Sequence, residues 1–226
     1  TDEAVEAIAA SQHGRFTRAQ VRKCGGGGSL ISARLRSGRW RRLSSRVLCL
    51  PGAPRDWLGE IWTARLHVGD DTVVSHRSAA RLHAFPGVPR STPCLTVPAG
   101  SNRRYAAGRL YQRGDLAPGQ VVRIDGLIVT SAARTLVDLA PGVSRSRLEA
   151  WLDHTTAERL ATPDELVAVV RLCGRSGKPS LNKLNELLAE YLPGSGSPQG
   201  TLERALGNVI RLAGLPPGVA QFKHPG

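Results

Sequence analysis

Arginine and lysine side chains that could hold phosphate groups are concentrated near the start of the chain. No aspartate or glutamate lies between Ala7 and Arg55, whereas ten arginines and lysines lie between Arg15 and Arg46. Residues 1–50 therefore carry +7 of the total formal charge of +13. Like charges placed side by side oppose compaction, so the needs of folding do not explain this asymmetry. A phosphate backbone would supply the missing counter-charge, and the stretch predicts a surface that binds nucleic acid.

An arginine-rich composition is the alternative explanation of this charge. Arginine accounts for 27 of the 31 basic residues, and any single arginine on a surface can simply be solvated. Such a bias would add bases, but it would not also remove the acids from the same stretch. We therefore favour nucleic-acid binding.

The rest of the chain shows no recognisable catalytic pattern. The histidines at positions 67, 76 and 83 have no carboxylate at catalytic spacing, and the phosphate-loop, zinc-protease and serine-hydrolase motifs are absent. Pro163-Asp164-Glu165 resembles the start of a nuclease motif. However, a capping Thr162, a proline at the first helical position and a glutamate three residues after the cap also mark an ordinary helix start. We expect a protein that is not an enzyme.

The cysteine pattern and the hydropathy restrict the remaining classes. The four cysteines lie far apart, with no histidine at ligand spacing, and predict free, mostly buried thiols. We therefore expect no metal and no other cofactor. No run approaches the roughly 18–20 apolar residues of a membrane span, and no signal peptide is recognisable. A cytoplasmic protein without membrane contact is the expectation.

The elements that must position the basic residues form a predicted helix-turn-helix. Residues 2–12 have apolar side chains at helical spacing. Thr17 and Gln20 have capping-box spacing and predict a short helix that ends near Lys23. Four consecutive glycines then form a turn, after which Ser29 is expected to cap a third helix.

The third helix is expected to be the recognition helix. It ends at Gly38, and its apolar Ile31 and Leu35 point away from a small, polar face. Residues 40–50 then predict two strands around a Ser44-Ser45 turn, the position of a wing. The predicted DNA-contacting residues are Ser29, Ser32, Arg34 and Arg36 of the helix, and the surrounding Arg15, Arg18, Arg22, Arg39, Arg41, Arg42 and Arg46.

The remaining residues predict an α+β protein. A mixed α/β middle part contains several short strands, and a helical part follows it. Arg103 and Arg104 form a second, smaller basic site on a loop. The predicted helices are 57–66, 75–85, 131–139, 144–158, 162–172, 178–192 and 201–213, and the predicted strands are 72–74, 94–97, 108–111, 121–124 and 127–129.

Several stretches together resemble actinobacterial proteins with an AbiEi-type antitoxin N-terminal domain. The resemblance covers roughly residues 3–213 and implies a winged-helix DNA-binding domain followed by a mixed α/β domain, as in autoregulating antitoxins of type IV toxin–antitoxin systems. It implies double-stranded DNA as a partner and a cognate toxin as a further one. The stretches are ASQHGRFTRAQVRKCG (10–25), ISARLRSGRWRRLSSRVLCLPG (31–52), VVSHRSAARLHAF (73–85) and DGLIVTSAARTLVDLA (125–140).

Many members of that family continue into a domain similar to very-short-patch-repair endonucleases. Residues 201–219 resemble the helix that opens this domain, with Glu203 at the position of a family glutamate. The family's metal-binding carboxylates come later than Gly226, so we expect no nuclease activity from this chain. The expected parts are a winged-helix domain (1–52), a middle domain with a helical end (56–192), a linker (193–200) and the start of an endonuclease-like domain (201–226).

Two alternatives to a DNA-binding regulator remain open at this point. One is a truncated member of the endonuclease family, which the resemblance of residues 201–219 favours. The other is a protein-interaction module in which the helical residues 144–192 contact a toxin.

Overall fold

The computed structural model describes residues 1–114, 116–174 and 181–191 and has the α+β class expected from the sequence. By packing, the chain divides into two compact units. The first joins residues 1–82 with residues 89–130, and the second joins residues 83–88 with the described helices after Ser131. The expected linker 193–200, the helix 201–213 and Glu203 lie outside the described residues.

Three helices and a small sheet form the first part of unit one. The predicted helices and wing strands are present, and the sheet has the order β1-β3-β2 with both pairs antiparallel. Strand β1 was not predicted. The elements are α1 (Asp2–Ser11), β1 (Arg15–Thr17), α2 (Arg18–Lys23), α3 (Gly28–Arg36), β2 (Arg41–Arg42) and β3 (Val47–Cys49).

Local capping explains where these helices begin and end. The predicted capping box is present: Thr17 Oγ1 accepts from the Gln20 amide at 3.1 Å, and the Thr17 amide donates to Gln20 Oε1 at 2.7 Å. The prediction that Ser29 caps α3 is wrong. Helix α3 begins at Gly28 with Gly27 as its N-cap residue, so Ser29 lies inside the first turn. Gly38, just after α3, has the predicted left-handed conformation with φ of 71°.

A compact apolar core holds these elements together. Phe16 of β1 and Trp40 pack edge to face, with ring centroids 5.0 Å apart. Ile31 of α3 is buried in the same core, and Leu35 packs on it from a half-buried position. The other buried members are Val5, Ala9, Val21 and Leu48.

The second part of unit one is a mixed five-stranded sheet with helices α4 and α5. Its strand order is β6-β5-β4-β8-β7, with β4–β8 and β5–β6 parallel and the other pairs antiparallel. Its core contains Ile61, Trp62, Leu95 and Val129, and also Val47 of β3. The elements are α4 (Trp57–Val68), β4 (Val73–Val74), α5 (His76–Leu82), β5 (Cys94–Pro98), β6 (Arg109–Arg113), a 3₁₀ turn (Pro118–Gln120), β7 (Val121–Ile124) and β8 (Leu127–Thr130).

Unit two is helical in its described residues. Ser131 and Ser144 cap its first two long helices through their side chains. Thr162 and Glu165 form a capping box, with the Thr162 amide donating to Glu165 at 2.7 Å, which accounts for the Pro163-Asp164-Glu165 string as a helix start. The elements are α6 (Ala132–Leu139), a 3₁₀ turn (Ala140–Gly142), α7 (Arg145–Ala157), α8 (Pro163–Gly174) and α9 (Asn182–Tyr191).

Candidate nucleic-acid interface

Helix α3 presents a small polar face to solvent. Ser29, Ser32 and Arg36 are exposed, and their spacing of three and four residues places them on the side of the helix opposite the buried Ile31. Hydroxyl groups can donate to or accept from base edges, and a guanidinium can form two hydrogen bonds with guanine. This face therefore carries exposed groups that can form hydrogen bonds with an external partner.

Two of the predicted contact residues lie beside an acid that the sequence does not place there. Arg34 Nη2 is 2.6 Å from Asp2 Oδ2, and Arg39 Nη1 is 3.8 Å from the same oxygen. Asp2 belongs to α1, outside the acid-free stretch, and reaches α3 only through the fold. Arg34 is thus held by an internal ion pair, while the Arg39 side chain stays 65% exposed.

The wing turn is organised by one serine. Ser44 Oγ accepts hydrogen bonds from the amides of Val47 at 3.1 Å and Arg46 at 3.3 Å, which closes the turn between β2 and β3. Arg41 Nη2 donates to the Pro51 carbonyl at 2.7 Å. The Arg42 side chain is exposed and has no hydrogen-bond or ion-pair partner among the described residues. Of the β2 arginines, Arg42 is the one available to an external phosphate.

The turn of the wing is joined to α4. Arg46 Nη1 donates to the His67 carbonyl at 3.3 Å, and His67 Nδ1 lies 2.8 Å from Ser44 Oγ. Burial lowers the pKa of His67 below its usual value, and the nearby positive charge of Arg46 lowers it further. The neutral imidazole is therefore the favoured form at this junction.

Arg15 does not belong to the candidate interface, in contrast to the prediction. It is only 4% exposed, and its guanidinium donates to the carbonyls of His13 and Pro54. The same group lies directly against Gly59 of α4, where a Cβ atom would collide with it. Burial accordingly lowers the pKa of Arg15 below the usual arginine value. Arg15 serves the packing of β1 on α4.

A second polar contact joins the turn after α1 to the start of α4. His13 Nε2 lies 2.9 Å from Asp56 Oδ1, and this oxygen also accepts from the Gly59 amide at 2.8 Å as the cap of α4. The hydrogen bond from the Gly59 amide is the largest cause that lowers the pKa of Asp56, and His13 adds to it. The start of α4 is thereby tied to the end of α1.

The arginines of α2 complete the set of predicted contacts. The Arg22 side chain is exposed and has no hydrogen-bond or ion-pair partner among the described residues, and Arg18 is half-buried. Arg22, Arg36 and Arg42 are thus the exposed arginines of the predicted set that no described residue engages.

One of the two arginines of the second basic site, on the loop before β6, is neutralised. Arg103 forms a two-pronged ion pair with Asp71, with Nη2 2.9 Å from Asp71 Oδ2. This contact lowers the pKa of Asp71 and raises that of Arg103. The adjacent Arg104 is exposed.

The serine–histidine–arginine–serine motif at the start of α5 joins this helix to the sheet. His76 has φ of 51°, lies with its ring stacked on Tyr111 at a centroid distance of 3.4 Å, and has Nδ1 3.0 Å from Ser75 Oγ. Ser75 Oγ in turn accepts from Thr96 at 2.8 Å, and Ser78 Oγ accepts from the amide of Cys94. These side chains therefore bond α5 to β5 and β6.

No cluster of three or more potential metal ligands occurs in the part of the chain that the structure describes. The four cysteines are free thiols, with Cys49 and Cys94 buried and the other two half-buried. Among the described helices, none combines the length and the apolar character that crossing a bilayer requires.

Comparison with known proteins supports the fold and does not identify a family. No family model and no curated protein matches the chain. The crystal structure of the RV2827C protein from Mycobacterium tuberculosis is similar, with a TM-score of 0.54 and 16% sequence identity. The similarity covers 87% of this chain and 77% of that one. At this level of identity it shows a shared fold.

Proposed function

We propose that this chain binds double-stranded DNA, with α3 in the major groove and the wing and α2 on the phosphate backbone. The observation that carries the proposal is the exposed polar face of α3, which ends in the unpaired Arg36 and is supported from behind by a packed core. In winged-helix proteins, the helix that follows a short helix and precedes a hairpin is the recognition helix. Arg22 and Arg42, one on each side of α3 in sequence, would hold phosphates.

We further propose that the protein acts as a transcriptional regulator of the type IV antitoxin kind, in the cytoplasm, without catalysing a reaction. The sequence resemblance supports this role, and a toxin protein would then be a second partner. In such a system the DNA contact serves autoregulation, which needs binding and no bond cleavage. This role depends on DNA binding, which is the part that experiment can test first.

The number of available arginines predicts the strength of the salt dependence. Arg18, Arg22 and Arg42 could contact up to three phosphates, and each contact contributes about −0.9 to the slope of log K against log salt. A slope of roughly −2.7 would weaken binding about 40-fold between 50 and 200 mM salt.

Fluorescence anisotropy with a labelled duplex at several salt concentrations tests the proposal. We expect binding at low salt that weakens with the predicted slope. Arg90→Ala is the control for variants that remove an arginine of the interface. Arg90 is exposed in unit one, and its side chain has no hydrogen-bond or ion-pair partner among the described residues. Absence of binding at low salt, or an affinity independent of salt, would contradict the proposal.

A further inference from the structure

A cleft of 480 Å³ opens between α2, the wing turn and the end of α4. Arg18, Arg22 and Arg46 line it, together with Asp70 on the loop after α4. The first part of unit one, with α1 to α3 and the small sheet, contributes one wall. The second part, with the five-stranded sheet, contributes the other. Clefts of about 300–1,000 Å³ at such junctions are the usual size of small-molecule sites.

The fold brings the three arginines together from separate elements. Arg18 and Arg22 are four residues apart on α2 and therefore share one side of that helix. The backbone amide of Arg18 donates to the carbonyl of Arg46 at 3.1 Å, which fixes the wing turn beside α2. Three guanidinium groups consequently line one concavity.

The positive charge of this cleft is not compensated internally. Asp70, the carboxylate among the lining residues, is 86% exposed, and its nearest described cation is Arg65 outside the cleft, at 3.9 Å. Arg18 Nε is shielded from solvent and has no hydrogen-bond partner among the described residues.

We propose that this cleft binds the phosphate group of a phosphorylated ligand. Guanidinium groups present paired donors that match phosphate oxygens, and three of them can bind one phosphate or a diphosphate. The exposed Asp70 carboxylate could accept hydrogen bonds from hydroxyl or amino groups of the same ligand. The phosphate belongs either to a free small molecule or to the DNA backbone, and the second source rests on the proposed function.

Calorimetric titration with inorganic pyrophosphate at fixed ionic strength tests the cleft directly. We expect one saturable site per chain, weakened at least tenfold by Arg18→Gln and by Arg22→Gln. Arg90→Gln removes the same charge outside the cleft and should change the dissociation constant less than twofold. Because the Arg22 side chain is exposed, Arg22→Gln should not disturb folding. It therefore still tests the cleft if Arg18→Gln alters folding. Lack of saturable binding, or equal weakening by Arg90→Gln, would overturn the proposal.

A duplex titration in the presence of pyrophosphate identifies the source of the phosphate. If the DNA backbone occupies the cleft, pyrophosphate displaces the duplex, and Arg18→Gln weakens duplex binding. If a free molecule occupies it, pyrophosphate binds the protein–DNA complex with unchanged affinity and does not displace the duplex. A protein that binds pyrophosphate and no duplex would retain this site and refute the proposed function alone.

Discussion

Arg34 of the candidate recognition helix is joined to Asp2 of α1 by an ion pair of 2.6 Å. The Asp2 carboxylate, which lies outside the acid-free stretch in sequence, is therefore close to it in space. It also lies 3.8 Å from Arg39. Asp2 reduces the positive charge at the end of α3 and competes with any phosphate for Arg34.

Replacing this carboxylate should therefore strengthen DNA binding. We expect Asp2→Asn to raise duplex affinity about three- to tenfold at low salt, because Arg34 is released and one repulsive charge is removed. The stability of the fold should fall by less than about 1 kcal/mol, as for other partly exposed pairs. Anisotropy titration measures the first effect. Glu3→Gln, an equal charge change at an exposed site on α1, is the control, and an equal gain in both variants would refute a specific role for the pair.

Arg36 and Arg42 should contribute differently to recognition. Arg36 lies on the exposed face of α3, so Arg36→Ala should change sequence preference by about 1–3 kcal/mol at one base pair. Arg42 lies on the wing, so Arg42→Ala should weaken all sequences alike and reduce the salt slope by about 1. Selection from a random duplex library, followed by titration of selected and scrambled duplexes, measures both quantities. A similar loss of sequence preference in the two variants would contradict this division.

Arg15 should affect stability rather than DNA binding. Arg15→Ala leaves the carbonyls of His13 and Pro54 without their donor and opens a cavity beside Gly59, at a cost of about 2–3 kcal/mol. Arg22→Ala, at an exposed site, should change stability by less than about 0.5 kcal/mol but weaken duplex binding. Urea unfolding and anisotropy on the folded proteins separate the two effects. A folded Arg15→Ala variant with strongly reduced duplex affinity would contradict this assignment and indicate that Arg15 contacts DNA.

Asp56 should stabilise the protein in a pH-dependent way. Its folded pKa is lower than its ordinary value of 3.8, so its contribution is complete above that value and is lost as the pH falls through the folded pKa. Asp56→Ala should cost about 1 kcal/mol at pH 7 through loss of the α4 cap, and the difference from wild type should shrink below about pH 4. Urea unfolding from pH 7 to pH 2.5 measures this. A difference for Asp56→Ala that stays constant from pH 7 to pH 2.5 would refute the linkage.

The elements that local signals specify could be predicted from the sequence. The Thr17 capping box, the left-handed Gly38 and the alternation of buried Ile31 with exposed Ser32 depend on neighbours within a few residues. The wing strands were predictable for the same reason. Ser29 was misplaced because four glycines leave the start of α3 open, and the helix begins one residue before the serine.

The features that long-range packing specifies could not be predicted. Strand β1 has three residues between two helices and exists because it pairs with β3, some thirty residues later. Arg15 was expected on the surface because it is charged, and only the close approach of Gly59 and Pro54 makes its burial possible. Asp2 and the cleft at Arg18 likewise depend on contacts between elements that are distant in sequence.

Neighbouring residues of strand β3 serve different cores. Val47 packs with Ile61 and its neighbours beneath the five-stranded sheet, whereas Leu48 packs with Phe16 in the winged-helix core. Because successive side chains of a strand point to opposite faces, the short strand β3 contributes side chains to both cores. A fragment that ends at Gly52 would therefore expose an apolar face that the intact chain covers. For the same reason, the wing could not unfold without disrupting both cores. The part of the chain that contains α1 to α3 and the wing should accordingly unfold together with the five-stranded sheet in one cooperative transition.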